Sequence, residues 1–366
     1  MDRIIATYRV RADAGSIAAR AQAIAVEQSV EMPVAAIDDR YVLDEVVGRV
    51  EDIADAGDGR FDVRIALAAS TTGHEPGQLM NMLFGNASIL DDVELRDAEF
   101  PDAMARGFGG PHLGLAGLRA MVGAGARALT CSALKPQGLP PEGLARVAAA
   151  LARGRIDFIK DDHGLADQAY SPFARRVEAC AAAIRDAAAQ AGARTRYAPS
   201  VTGDLDAMRR QVRCAIDNGV DMVLVAPIVV GIPSFHALVR EFPAMAFMAH
   251  PAMAGAARIA PPLLIGRIFR MLGADATVFP NHGGRFGYSP VTCRALARAA
   301  LDPDRGLHAT VPVPAGGMTT ERVPEMLAFY GADVMLLVGG ALLSARERLA
   351  EEAARFSRSV AEHAHG

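Results

Sequence analysis

GRIDFIKDDHG, residues 154–164, runs from a turn glycine through an apolar stretch into a lysine, two aspartates and a histidine. The apolar part has the length and composition of a buried strand. Unpaired charge is costly to bury, so the four polar residues are expected where the strand leaves the core. The flanks support this. PEGLARVAAALARG precedes it and FARRVEACAAAIRDAAAQAG follows, both with the apolar spacing of amphipathic helices. A strand set between two helices is the repeating part of a parallel sheet.

The same unit recurs outward from this point. ALTCSALK, DFIKDD, RYAPSV, DMVLVAPIVV, AFMAHPAM, ATVFPNHGG, HATVPVPAGG and DVMLLVGGALL read as eight strands whose starts recur every 25 to 39 residues, with helical stretches between them. PEGLARVAAALARG and LDAMRRQVRCAIDNG each run into a glycine suited to a helix C-cap. Eight uniform units with no GxGxxG after the first strand predict a (β/α)8 barrel rather than an open doubly wound sheet. The first 110 residues differ: ATYRV and GRFDVRIALAAS read as strands, SIAARAQAIAVEQ and PGQLMNMLFGN as helices. The predicted organisation is an α+β domain over 1–115 and a barrel domain over 116–366.

Composition narrows the function. The chain has 366 residues and a formal net charge of −4, with no basic stripe of the kind nucleic acid requires. Neither a secretion pattern nor an apolar run of membrane-spanning length is visible, so a cytoplasmic protein without a membrane partner is expected. Cys131, Cys180, Cys214 and Cys293 lie far apart and read as buried thiols. MNMLFG and MLAFYG read as core, and RERLAEEAARFSRSVAEHAHG as an amphipathic terminal helix.

In a barrel of this kind the functional groups collect at the C-terminal ends of the strands. Those ends carry Lys135 after the first strand, Lys160 to His163 after the second, His250 after the fifth, and Asn281, His282 and Arg285 after the sixth. Gly316–Gly317 and Gly339–Gly340 follow the seventh and eighth, where exposed backbone N–H groups suit a phosphate. A phosphorylated small molecule is the expected substrate.

LKPQGLPPEGL followed by GRIDFIKDDHGLADQ resembles the two lysine motifs of the ribulose bisphosphate carboxylase large-subunit superfamily. FGNASIL (84–90), FGGPHLGLAGLR (108–119), MAHPAM (248–253), FPNHGG (279–284), VPAGGM (313–318) and VGGALL (338–343) fall in family order along nearly the whole chain. The resemblance implies a ferredoxin-like N-terminal domain before the barrel, and a homodimer with the active site at the subunit interface. It implies Mg2+ held by Lys160 as its CO2 carbamate, by Asp162 and by the residue at position 163. Lys135 matches a proton-transferring lysine, and His250 and His282 match histidines that contact substrate. Glu27, Asn86, Arg285, Gly316, Gly317, Gly339 and Gly340 match substrate- and phosphate-binding positions.

The departures place the chain in the carboxylase-like, form IV branch. His163 stands where carboxylases have a glutamate ligand, and imidazole is a poorer partner than carboxylate for Mg2+. GGRFGYSP has no lysine where carboxylases hold the added CO2, and Gln137, Pro251 and Ala315 replace a lysine, an arginine and a serine. Enolisation is expected to persist and carboxylation to be lost. Relatives of this branch imply three activities: 1,3-proton transfer on 5-methylthioribulose 1-phosphate, placed first here for the short, insertion-free chain; enolisation of 2,3-diketo-5-methylthiopentyl 1-phosphate; and decarboxylation of 3-oxo-isoapionate 4-phosphate. A sugar-phosphate-binding regulatory protein is the non-enzymatic alternative.

Overall fold

The structure, a computed structural model, describes residues 2–284, 286–303 and 306–363. The chain forms two compact units, the smaller running through Gly109 and taking in Met253–Leu264, the larger taking in Gly110–Ala252, Ile265–Pro303 and the chain from His308.

The smaller unit contains β1 (Arg3–Arg11), α1 (Ile17–Glu27), β2 (Arg49–Gly57), β3 (Arg60–Ala68), α2 (Pro76–Phe84), β4 (Val93–Glu99) and α3 (Asp102–Phe108). Its four strands are antiparallel in the order β2-β3-β1-β4, the ferredoxin-like arrangement expected from the resemblance. Along β1 every second residue, Ile4, Ala6, Tyr8 and Val10, is buried, as the period of a half-buried strand requires. Two strands, β2 and β4, are absent from the sequence reading. Both lie at sheet edges, and β2 has no buried residue, so its sequence shows no apolar alternation.

The larger unit opens with α4 (Gly114–Val122) and then alternates strand and helix: β5 (Leu129–Leu134), α5 (Pro141–Arg153), β6 (Phe158–Asp161), α6 (Phe173–Ala191), β7 (Arg196–Ala198), α7 (Leu205–Asp217) and β8 (Met222–Val225). It continues with α8 (Pro227–Val230), α9 (Ile232–Glu241), β9 (Ala246–Ala249), α10 (Phe269–Met271), β10 (Ala276–Pro280), α11 (Pro290–Leu301) and β11 (Val311–Ala315). The last elements are α12 (Val323–Tyr330), β12 (Met335–Leu337), α13 (Gly340–Leu343) and α14 (Leu349–Glu362). All eight strands lie where the sequence places them and pair in parallel in the order β7-β6-β5-β12-β11-β10-β9-β8. Hydrogen bonds of Leu224 to Pro199 and Val201 close β7 onto β8, so the sheet is a barrel. Two strand ends are shorter than expected, because PIVV and GALL coil into α8 and α13.

The barrel interior is filled from alternate positions, among them Leu129, Cys131, Phe158, Met222, Leu224, Met248, Val278, Val313 and Met335, with Leu118 and Val122 of α4 in the same cluster. This parity positions the site. The count that puts Phe158 inside brings Lys160 and Asp162 to the same face further along, and the counts through Cys131 and Met248 bring Lys135 and His250 there. Gly154 ends α5 with φ −75° and so is not a left-handed cap; Arg155 takes that conformation at φ +62°. Gly154 is required for another reason: a Cβ there would stand 2.3 Å from Cβ of Ala353 on α14. α7 is capped by Asn218, and the expected glycine, Gly219, follows it with φ +73°.

Candidate active site

Lys135 and Lys160 are the only lysines in the chain; every other basic position is arginine or histidine. Arginine keeps its charge under all cellular conditions, whereas a lysine amine can be neutral and reactive. Both lysines follow inward-facing strand positions at the C-terminal end of the barrel.

Nζ of Lys135 lies 2.8 Å from Oδ1 of Asp162. Nδ1 of His163 lies 3.4 Å from the same oxygen. Burial opposes the charge on Asp162, but hydrogen bonds from His163 and Lys135 and the cationic neighbours outweigh it and hold this carboxyl well below the usual range. Lys160 is 3% exposed and its Nζ donates to the backbone carbonyl of Asp161 at 2.9 Å. Burial lowers the Lys160 pKa, because the uncharged amine is the form that tolerates a dry environment.

The rings of His163 and His250 stack with centroids 4.1 Å apart and planes at 11°. Nδ1 of His250 accepts from the backbone N–H of Ala252 at 3.2 Å, which leaves Nε2 as the protonated nitrogen of a neutral ring. Burial pushes the His250 imidazole down to about 2. The cluster thus contains a buried amine, a carboxylate paired to a second amine, and two stacked imidazoles. Gln137 packs beside the residue that follows His163, its amide filling the space where a Cβ on Gly164 would stand.

The other residues singled out by sequence are described by contacts of their own. Asn281 is buried, accepts from the Tyr330 hydroxyl at 2.6 Å and faces the sulfurs of Met318 and Met326. His282 packs its ring on Phe329 at 4.5 Å, and its Nε2 is buried with no hydrogen-bond partner among the described residues. No hydrogen bond, ion pair or ring contact among the described residues joins it to the Lys135–Asp162 cluster. Arg285 lies outside the described residues. Gly316 and Gly317 have φ of +85° and +67°, and a Cβ on Gly317 would stand 2.7 Å from Cα of Gly284, so this pair serves a close backbone approach. Gly339 and Gly340 have open space where a Cβ would be. In the smaller unit, Nδ2 of Asn86 donates to Glu27 at 2.8 Å and to Glu31 at 3.2 Å. Both residues line a cleft of about 430 Å³ with Arg20, Ala23, Ile24, Ile89 and Leu90.

Sequence reasoning missed Arg176 and Tyr197, which bind the carboxylate of Asp161 inside the protein. Arg176 sits in a run that reads as a solvated helix face, and nothing there sets it apart from its exposed neighbour Arg175.

Comparison with known proteins places these features in context. The ribulose bisphosphate carboxylase large chain, catalytic domain, matches residues 114–282. A 5-methylthioribulose-1-phosphate isomerase of Rhodospirillum rubrum is 61% identical over 361 residues, covering 98% of this chain and 96% of its own. A 2,3-diketo-5-methylthiopentyl-1-phosphate enolase of Geobacillus kaustophilus is 32% identical over 293 residues, 77% of this chain and 70% of its own. Among solved structures, a Rubisco-like protein from Rhodopseudomonas palustris superposes with a TM-score of 0.93 at 55% identity, covering 99% of both chains.

Proposed function

As the chain belongs to the family of ribulose bisphosphate carboxylase-like proteins, we propose that it is an enzyme of proton transfer on a phosphorylated ketose, a 5-methylthioribulose 1-phosphate isomerase that does not fix CO2. The observation that carries this is the confinement of the chain's two lysines to one inward-facing cluster with Asp162 and His250. The 61% identity to a relative of that name favours the isomerase over the enolase.

A proton on the carbon beside a ketone is removable only if the developing enolate oxygen is stabilised. In its unprotonated form Lys135 Nζ takes the proton as the C–H electron pair moves toward the carbonyl, becoming the ammonium that pairs with Asp162, and the carbonyl oxygen takes on the negative charge. Returning the proton from Lys135 to the former carbonyl carbon, while the neighbouring hydroxyl passes its own proton to the former carbonyl oxygen, shifts the ketone along the chain. Asp162 orients the Lys135 amine, and Nε2–H of His250 is a donor for a substrate oxygen. The loop after β10 carries no lysine to hold an added CO2.

The residues present fit a divalent cation. CO2 adds to a neutral amine, the form that burial favours at Lys160, and Asp162 lies on the same strand face. No three His, Cys, Asp or Glu side chains converge among the described residues, so the donor set of Lys160, Asp162 and His163 depends on that carbamate. A cation held there would polarise the substrate carbonyl.

A homodimer in which Glu27 and Asn86 of one copy serve the barrel of the other belongs to the same proposal. Its support is the apolar, 80% exposed Ile89 beside them. Light scattering at twice the monomer mass is expected. Following 5-methylthioribulose 1-phosphate by 31P NMR tests the activity: a new sugar phosphate should appear, and turnover only of the diketo phosphate or of a 3-oxo sugar acid would replace the isomerase with a sibling activity.

A further inference from the structure

Behind the cluster lies a set of groups that the proton transfer does not use. β6 ends at Asp161, and the same alternation that turns Lys160 and Asp162 inward turns the Asp161 side chain toward the surrounding helices. Its carboxylate accepts from Nε of Arg176 on α6 at 2.9 Å, from the Tyr197 hydroxyl on β7 at 2.7 Å and from the backbone N–H of Ser200 at 3.1 Å. Asp161 and Arg176 are both 0% exposed. Arg176 is fixed in turn by Nη1 donating to the carbonyl of Ser171 at 2.7 Å and by the Phe173 ring at 5.4 Å.

Such a pair is a poor source of stability. Desolvating two charges offsets most of their attraction, and apolar residues of similar volume commonly serve as well. What the arrangement supplies is fixation of one residue from two neighbouring elements. That residue's backbone carbonyl is the acceptor of Lys160 Nζ, and its peptide bond leads into Asp162. Beyond it the sheet ladder is weak, since the Asp162 N–H reaches the Leu134 carbonyl only at 3.3 Å.

We infer that Asp161, Arg176 and Tyr197 form a positioning brace that sets where the Lys160 amine and the Asp162 carboxylate stand. The three are positioning residues, acting through their chain neighbours without touching substrate. The kinetic part of the test rests on the reading above; the chemical part does not.

Tyr197→Phe removes one hydroxyl at nearly constant volume, and Asp161→Asn keeps the shape of the carboxylate. Each is treated in CO2-free buffer with limiting acetic anhydride, and acetylation is read by mass spectrometry. Because the chain has only two lysines, the Lys160 signal is unambiguous, and the terminal amine, which the brace does not touch, is the internal reference. The expected result is a change of at least about threefold in Lys160 acetylation relative to the terminal amine, together with a roughly tenfold fall in kcat at nearly constant KM. A purely structural role would lower the melting temperature and leave the acetylation ratio at the wild-type value, and that ratio in either folded variant overturns the brace. Should the wild type turn over none of the candidate phosphates, the proposed function fails while the acetylation ratio still decides the brace.

Discussion

An amine at position 135 can give and take a proton, and a guanidinium cannot. Lys135→Ala should therefore lower kcat by about 10²- to 10⁴-fold, and Lys135→Arg, which keeps the charge facing Asp162, should lose a similar amount; an active Arg variant would assign the proton to another group. His163 is the other informative position. Its nitrogen shares Oδ1 of Asp162 with Lys135, and imidazole suits Mn2+ better than Mg2+. His163→Glu should tighten Mg2+ relative to Mn2+ by calorimetric titration in bicarbonate, and equal preference before and after would remove position 163 from the donor set.

At the scale of elements, the sequence exposed the barrel because each strand is buried on both faces and stands out as an apolar run. It exposed much of the site for the same reason: the parity that fills the core with Phe158 and Met248 continues to Lys160, Asp162 and His250. It did not reveal β2, an edge strand that buries nothing, or the Asp161–Arg176 pair, whose members are fifteen residues apart in the chain and look like solvated charges. Asn281 shows the limit of reading strand ends alone, since it breaks the inward parity of β10 and serves the packing of α12. The glycine pair after β11 likewise has a packing role. Gly317→Ala, with its Cβ directed at Gly284, should cost roughly 2 kcal/mol of stability, measured by denaturant unfolding, and a neutral substitution would mean the backbone approach is relaxed in solution.

For the whole molecule, burying His250 as a neutral ring has a cost in acid. His250 is held down to about 2 in the folded chain, against 6.5 for the free side chain. Below about pH 6.5 the unfolded chain binds a proton that the folded one does not, so this residue makes stability fall as pH drops from there toward 2. Urea midpoints at pH 7 and pH 5 should show that fall, and His250→Gln should reduce it; an unchanged difference would place the acid sensitivity elsewhere. No helix of the described residues is long and apolar enough to cross a membrane. The two-unit architecture and the family are those of the carboxylase-like proteins, and in the proposed function the absence of a lysine after β10 is what separates enolisation from carboxylation. The most direct test of that separation is proton NMR of 5-methylthioribulose 1-phosphate in D2O with the protein, Mg2+ and bicarbonate. The account predicts loss of the carbon-bound proton signal beside the ketone as isomer accumulates, and no incorporation of labelled bicarbonate; an unexchanged substrate, or labelled carbon in the product, would contradict it.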